Sequence, residues 1–302
     1  MTETSPQIVH YTACPICEST SIREVLTVKD HSVSKETFPV WQCDHCEARF
    51  TQDIPDEASI DRYYQSDEYI SHTNNNQGVV NQIYQQVRRY TLGQKKRKLE
   101  LLTESSTGNL LDIGCGTGEF AGLMGRSGWR VVGLEPNRAA RRQALEQQRI
   151  EAYSNEKLFE LPDNDFDVVT LWHTLEHVHQ LHDYLSHIKR VLKPGGHVVI
   201  AVPNYQSPDG QNYGADWAAY DVPRHLYHFS PKSMEMLLGK HGYTLEHKLN
   251  MDFDAFYVSM LSEKYRGNGP ELLTGGVQGL KSYFKTWDDP DHCSSVMYIA
   301  KA

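Results

Sequence analysis

The chain is predicted to fold as an α/β protein: a doubly wound, mostly parallel sheet preceded by a small cysteine-rich unit. Three features of its 302 residues carry that expectation. The stretch LLDIGCGTGEF (110–120) joins an apolar strand to a helix through three glycines. Strand-like and helical runs then alternate to about residue 250, the order that parallel strands and crossover helices require. Finally, four of the six cysteines form two CxxC pairs near the N-terminus.

Those pairs are CPIC (Cys14, Cys17) and CDHC (Cys43, Cys46), and the loop between them carries the β-type runs REVLTV and FPVWQC. Two close thiolate pairs joined by a variable loop are the ligand pattern of a zinc ribbon, expected over residues 8–52. Four protein ligands leave no open position, so this zinc is expected to be structural. Residues 53–107 follow as linker and helical lead-in. A polar, tyrosine-rich stretch to residue 77 reads as a linker or clamp, and a helix is expected at roughly 79–103. Its basic run QKKRKLE (94–100) reads as a solvated face. Ribbon and later sheet are expected to rest on separate cores. The segment 203–230 is long for a connection and crowded with Tyr, Trp, Asp, Arg and His, which predicts a functional lid. Ser230 and Pro231 read as the cap and first residue of the next helix. The tail adds two β-rich runs, FDAFYVSML (253–261) and SSVMYIAKA (294–302), around a glycine-rich, unpatterned stretch at 266–280.

A strand, a glycine turn and a helix make a ligand cradle. Glycine lets the backbone approach a ligand closely, and a helix start offers unpaired N–H groups. Dinucleotide enzymes use GxGxxG; here the spacing is GxGxG, with Asp112 two residues before Gly114. The next apolar run, RVVGLEPN (130–137), ends in Glu135, whose carboxylate can accept from two ribose hydroxyls, and Pro136 then stops the strand. DFDVVTLWHTLEHV (165–178), VLKPGGHVVIAVPN (191–204) and HLYHFSPKSMEMLLGKHGY (225–243) follow in order. Together these motifs, over roughly residues 108–245, resemble the class I S-adenosylmethionine (SAM)-dependent methyltransferases, in the group that includes ubiquinone-biosynthesis O-methyltransferases and related small-molecule enzymes. The resemblance implies a Rossmann-like, seven-stranded methyltransferase domain over 108–302, its last two strands forming an antiparallel pair at one edge. It also implies SAM as methyl donor and a small-molecule acceptor. Asp112, Gly114, Cys115, Gly116, Glu135, Pro136 and Trp172 are then expected around SAM, with Lys157 and Leu158 near its adenine. A ribbon ahead of such a core is similar in layout to sugar C-methyltransferases.

Methyl transfer from a sulfonium needs an in-line nucleophile at ~3–3.5 Å and the exclusion of water. A base matters when the acceptor is a hydroxyl or an acidic carbon. His225 and His228 are the candidates within 203–230, with His173 as the competing base. Arg224 suits an anionic substrate group. The string HTLEH (173–177) matches the HxxEH of inverted zinc peptidases, but it straddles a strand end and a helix start. Two readings stay open for Glu176 and His177: they brace the helix start, or with His173 they orient a substrate or a divalent ion. Cys115 and Cys293 read as small packing residues.

Composition narrows the partners. A net charge of −9 argues against a polyanionic partner such as nucleic acid. No apolar run approaches the ~18 residues of a membrane span, and the polar N-terminus does not read as a signal peptide, so a cytoplasmic location is expected. Two other functions stay open: methylation of a macromolecule docked by the ribbon, and a non-catalytic SAM-binding regulator.

Overall fold

The computed structural model describes residues 7–64, 79–104, 106–251, 253–267, 271–286 and 288–302. Its central sheet takes its strands in the order β12-β13-β10-β9-β6-β7-β8. β6 (Asn109–Ile113), β7 (Arg130–Leu134), β8 (Ala152–Tyr153), β9 (Phe166–Trp172) and β10 (Leu192–Pro203) pair in parallel. β13 (Ser295–Lys301) runs antiparallel between β10 and the edge strand β12 (Thr244–Asn250). Leu110, Leu111, Val168, Val169, Val198, Val199, Val296 and Met297 are all buried, because both faces of a doubly wound sheet are covered. On one face lie α1 (Val79–Thr103), the helix read from the sequence, and α2 (Glu119–Arg126). The opposite face is packed by α4 (Leu181–Val191) and α6 (Pro231–Lys240). A short α3 (Arg138–Gln143) follows β7, capped by the Asn137 side chain. Ser230 caps α6 as expected, in a reciprocal box with Ser233 and with Pro231 in the first turn.

The antiparallel edge pair is present, but its first member is not FDAFYVSML. That run lies in α7 (Asp254–Arg266), and much of the glycine-rich stretch lies in α8 (Glu271–Lys285). The two helices pack through glycine: a Cβ on Gly275 or Gly279 would fall 2.6 or 2.7 Å from the Cα of Met260 or Phe256. Aromatic and β-branched content suggested a strand, and tertiary packing overrode it. The true strand, TLEHKLN, is polar because an edge strand is only half covered.

The ribbon residues form β1 (Ile8–Val9), β2 (Ile22–Lys29), β3 (Thr37–Cys43), β4 (Arg49–Thr51) and β5 (Ile54–Pro55). They do not stand apart. The four-stranded sheet β11-β4-β3-β2 takes its edge strand, β11 (Tyr227–His228), from the segment 203–230. Ile16, Cys43, Phe50 and Ile54 share one core with Val169, Leu181, Leu226 and Phe229. A second core joins Val28, Phe38 and Val40 to Tyr213, Trp217 and Tyr220. The segment 203–230, with its short helix α5 (Pro208–Tyr213), is therefore a buried clasp between ribbon and sheet, and the expectation of separate cores is corrected. Of the tyrosine-rich stretch read as a linker or clamp, residues 65–77 lie outside the described residues. No helix among the described residues is long and apolar enough to cross a membrane.

Candidate active site

The turn after β6 is shaped by three left-handed glycines: Gly114 at φ 73°, Gly116 at 54° and Gly118 at 77°. Such angles strain any L side chain, and a Cβ on Gly114 would also overlap Thr174. The Gly114 and Cys115 N–H groups donate to Leu134 O at 2.8 and 3.0 Å, which ties the turn to the tip of β7. There Glu135 lies across the turn. Its two carboxylate oxygens accept from Gly116 N–H at 3.0 Å and Asn137 N–H at 2.9 Å, leaving lone pairs for a diol. Burial raises its pKa, against the pull of those amides. Pro136 is exposed beside it, and its carbonyl accepts from Arg141 at 2.6 Å. Asp112 is buried under the turn and accepts from the Thr170 hydroxyl at 2.6 Å. Burial lifts its pKa to about 7, with the Thr170 bond opposing. The Cys115 thiol packs on Gly133, and burial raises its pKa, as suits a packing residue. Cys293 is likewise buried and raised to about 12. Leu158 is buried in the core, and Lys157 pairs with Glu160 at 2.9 Å.

Beyond the turn, Trp172 ends β9. Its ring meets Phe120 edge-on at 5.1 Å and carries the Lys95 ammonium 4.1 Å from its centroid. The basic run on α1 is thus not a plain solvated face: Lys95 and Lys98 line a cleft with His173, Asn250, Phe253 and Asp254. Nothing in a KKRK string signals an inward lysine, so the sequence reading missed it.

His173 occupies a left-handed conformation, φ 53°, uncommon for a residue other than glycine. One ring nitrogen is 2.9 Å from the Asp254 carboxylate and the other 3.6 Å from Glu176. Burial alone would lower its pKa, but Asp254 and Glu176 outweigh it and raise it to about 10. A histidine so paired favours its protonated form near neutrality, and a protonated imidazole donates to an acceptor instead of taking its proton. His177 is the reverse: burial and the neighbouring His225 lower it to about 4.

The other predicted residues part company. His225 meets His177 edge-on, ring centroids 4.6 Å apart. His228 belongs to the ribbon junction: its Nε2 lies 3.1 Å from the Thr51 hydroxyl and its ring packs on Tyr220. Burial drives its pKa well down, with His225 and Arg49 adding to it. Arg224 is 1% exposed and is spent on Asp221, Asp30 and Tyr63 O, at 2.6, 2.9 and 2.8 Å. It braces the clasp and is not free for an anionic substrate. At the far end of the ribbon, Cys14 and Cys46 sulfurs lie 3.5 Å apart and Cys17 and Cys43 sulfurs 3.6 Å. All four fall within 4.8 Å of one another, close to the ~3.8 Å sulfur spacing of a zinc tetrahedron with 2.3 Å bonds.

Comparison with known proteins agrees with this geometry. Residues 84–248 match a family model described as a methyltransferase domain. The chain is similar to the ubiquinone biosynthesis O-methyltransferase of Nitrosococcus oceani, 30% identical over 171 residues, covering 52% of this chain and 70% of the relative. It is 39% identical over 102 residues to that of Alkalilimnicola ehrlichii, covering 32% and 41%. The chain spans about half the length of the curated relatives it matches. Among solved structures, the fold is similar to the 1,6-didemethyltoxoflavin-N1-methyltransferase of Burkholderia thailandensis, with a TM-score of 0.51, 14% identity, and 91% and 99% of the two chains covered. The glycine turn, Glu135 and strands β6 to β10 all fall inside the matched residues, and the chain belongs to the methyltransferase-domain family.

Proposed function

We propose that the chain is a SAM-dependent methyltransferase that moves a methyl group to an oxygen or carbon of a small molecule by in-line displacement, with one structural zinc held by Cys14, Cys17, Cys43 and Cys46. The observation that carries this is the Glu135 carboxylate, held by two backbone amides across a turn of left-handed glycines. That arrangement suits a ribose diol: the carboxylate accepts both hydroxyls while the turn lets the rest of the cofactor approach the backbone. The ubiquinone-biosynthesis relatives are named for a small-molecule acceptor, which supports the same class here. The cleft of Lys95, Lys98, His173 and Asp254 opens beside Trp172 and is the proposed acceptor entrance. His173, as an imidazolium paired with Asp254, orients an acceptor and does not deprotonate it.

Isothermal titration of SAM into wild type and Glu135→Ala tests the reading. Two bonds to a charged group, each worth ~1.5–3 kcal/mol, are removed, so affinity should fall at least about tenfold. Unchanged affinity in the folded variant would sink the assignment. A metabolite screen with methyl-labelled SAM then identifies the acceptor.

A further inference from the structure

We propose that the acceptor is a small aromatic acid, and that Lys98 reads its carboxylate while Tyr90 and Phe253 hold its ring. The inference rests on the reading of the cleft beside Trp172 as the acceptor entrance, and it names what that entrance selects.

The charge of the cleft opposes that of the chain. The sequence holds 39 acidic residues against 30 lysines and arginines. The cleft lining carries Lys95, Lys98 and His173 against one carboxylate, Asp254. A concave wall of one sign raises the local concentration of the opposite ion. The cleft therefore draws anions to a chain that otherwise repels them.

The partners of these groups decide which charge a ligand meets. His173 and Asp254 hold each other at 2.9 Å. Lys95 sits over the Trp172 ring, and its charge also acts on Asp254 and Asp112, favouring their ionised forms. Lys98 has no such company. Its half-buried ammonium donates to the Asn250 carbonyl at 3.0 Å and makes no ion pair among the described residues. A carbonyl occupies one of three ammonium N–H groups, and a neutral dipole does not cancel the charge. The surplus positive charge of the cleft is therefore at Lys98. A single ammonium acts as a point charge and matches a monoanion such as a carboxylate.

The apolar part of the lining suits a ring. Tyr90 and Phe253 meet edge-on, ring centroids 5.6 Å apart, and Met251 continues the apolar wall. Tyr90 is 52% exposed, so a ligand ring would cover surface that water now meets. The order along α1 sets the direction of binding. Lys95 marks the Trp172 end of the cleft, and Lys98 follows it by three residues, about 4.5 Å of helix. A carboxylate on Lys98 leaves the far side of a small ring for Trp172 and His173, where the methyl group would arrive.

The probes are 4-hydroxybenzoate and 4-hydroxybenzamide, which share ring and size and differ in charge. NMR titration against the full chain, with and without S-adenosylhomocysteine, should give a dissociation constant at least about fivefold lower for the benzoate. Lys98→Met should remove that preference while leaving amide binding unchanged, and Lys98→Arg should keep it. SAM has a carboxylate of its own, so SAM is titrated into the same variants; its affinity should match wild type. Equal binding of the two probes, no binding of either at millimolar concentration, or a preference that survives in folded Lys98→Met overturns the proposal. So does a fall in SAM affinity in Lys98→Met, which would assign the lysine to the cofactor. Wild-type SAM binding is read in the same series, so failure of the methyltransferase reading is seen separately.

Discussion

The glycine turn and the clasp junction are both built from buried or half-buried polar groups, but over very different lengths of chain. At the turn, Gly116 meets Glu135 across 19 residues and Asn137 meets Glu135 across two. At the junction, Arg224 reaches Asp30 across 194 residues, and Thr51 reaches the carbonyl of His225 across 174. The turn is set by local backbone chemistry, chiefly the glycine φ angles. The junction exists only once ribbon and sheet have docked. Damage to the turn should therefore stay local and strike ligand binding, whereas damage to the junction should spread through the fold.

The largest expected effect is at the zinc ribbon. Cys43→Ser removes one of four ligands from a site whose cysteines share a core with Leu226 and Phe229. We expect loss of zinc and a single, strongly lowered thermal transition that takes SAM binding with it. If the variant keeps a SAM-binding core with wild-type melting, the ribbon and sheet are independent and the comparison fails.

Next comes Arg224→Met, which leaves buried Asp30 and half-buried Asp221 without their guanidinium. Breaking one side of a buried pair costs ~3–5 kcal/mol. Urea midpoints should report that loss; a change under about 1 kcal/mol would mean that water reaches the pair.

Gly114→Ala probes the turn. A left-handed alanine costs ~1–2 kcal/mol, and its Cβ must also displace Thr174. Thermal stability should drop modestly while SAM affinity falls more than tenfold, about 1.4 kcal/mol. Equal affinity in the two proteins would show that the turn tolerates a different path.

The smallest effect is a pH dependence. His173 is raised from 6.5 to about 10 in the folded chain, chiefly by Asp254 acting against burial. Its contribution to stability is complete below pH 6.5 and disappears as pH rises through about 10. The melting difference between wild type and Asp254→Asn should therefore narrow steadily from pH 7 to pH 10. A constant gap across that range would show that His173 is not the protonated partner.

The elements most legible in the sequence are those whose signal is local. LLDIGCGTGEF became a buried strand, three left-handed glycines and a helix, and LEPN put Glu135 opposite them. The paired CxxC spacing brought four sulfurs together. FDAFYVSML misled because its aromatic and β-branched residues satisfy a strand by composition, while Gly275 and Gly279, distant in sequence, decide that it packs as a helix. His173, His225 and His228 look equivalent in the sequence. One is charged by Asp254, one faces His177 and Glu176, and one is buried against the ribbon.

By itself, then, the sequence determined the alternation of strands and helices in the core, the cofactor turn and the thiolate set, because backbone sterics and short ligand spacings act over a few residues. Only the tertiary structure decided that 203–230 is a clasp with a strand in the ribbon sheet, that Lys95 turns inward onto Trp172, and which histidine keeps its proton. Each of those depends on burial and on partners tens to hundreds of residues away, and local pattern carries neither.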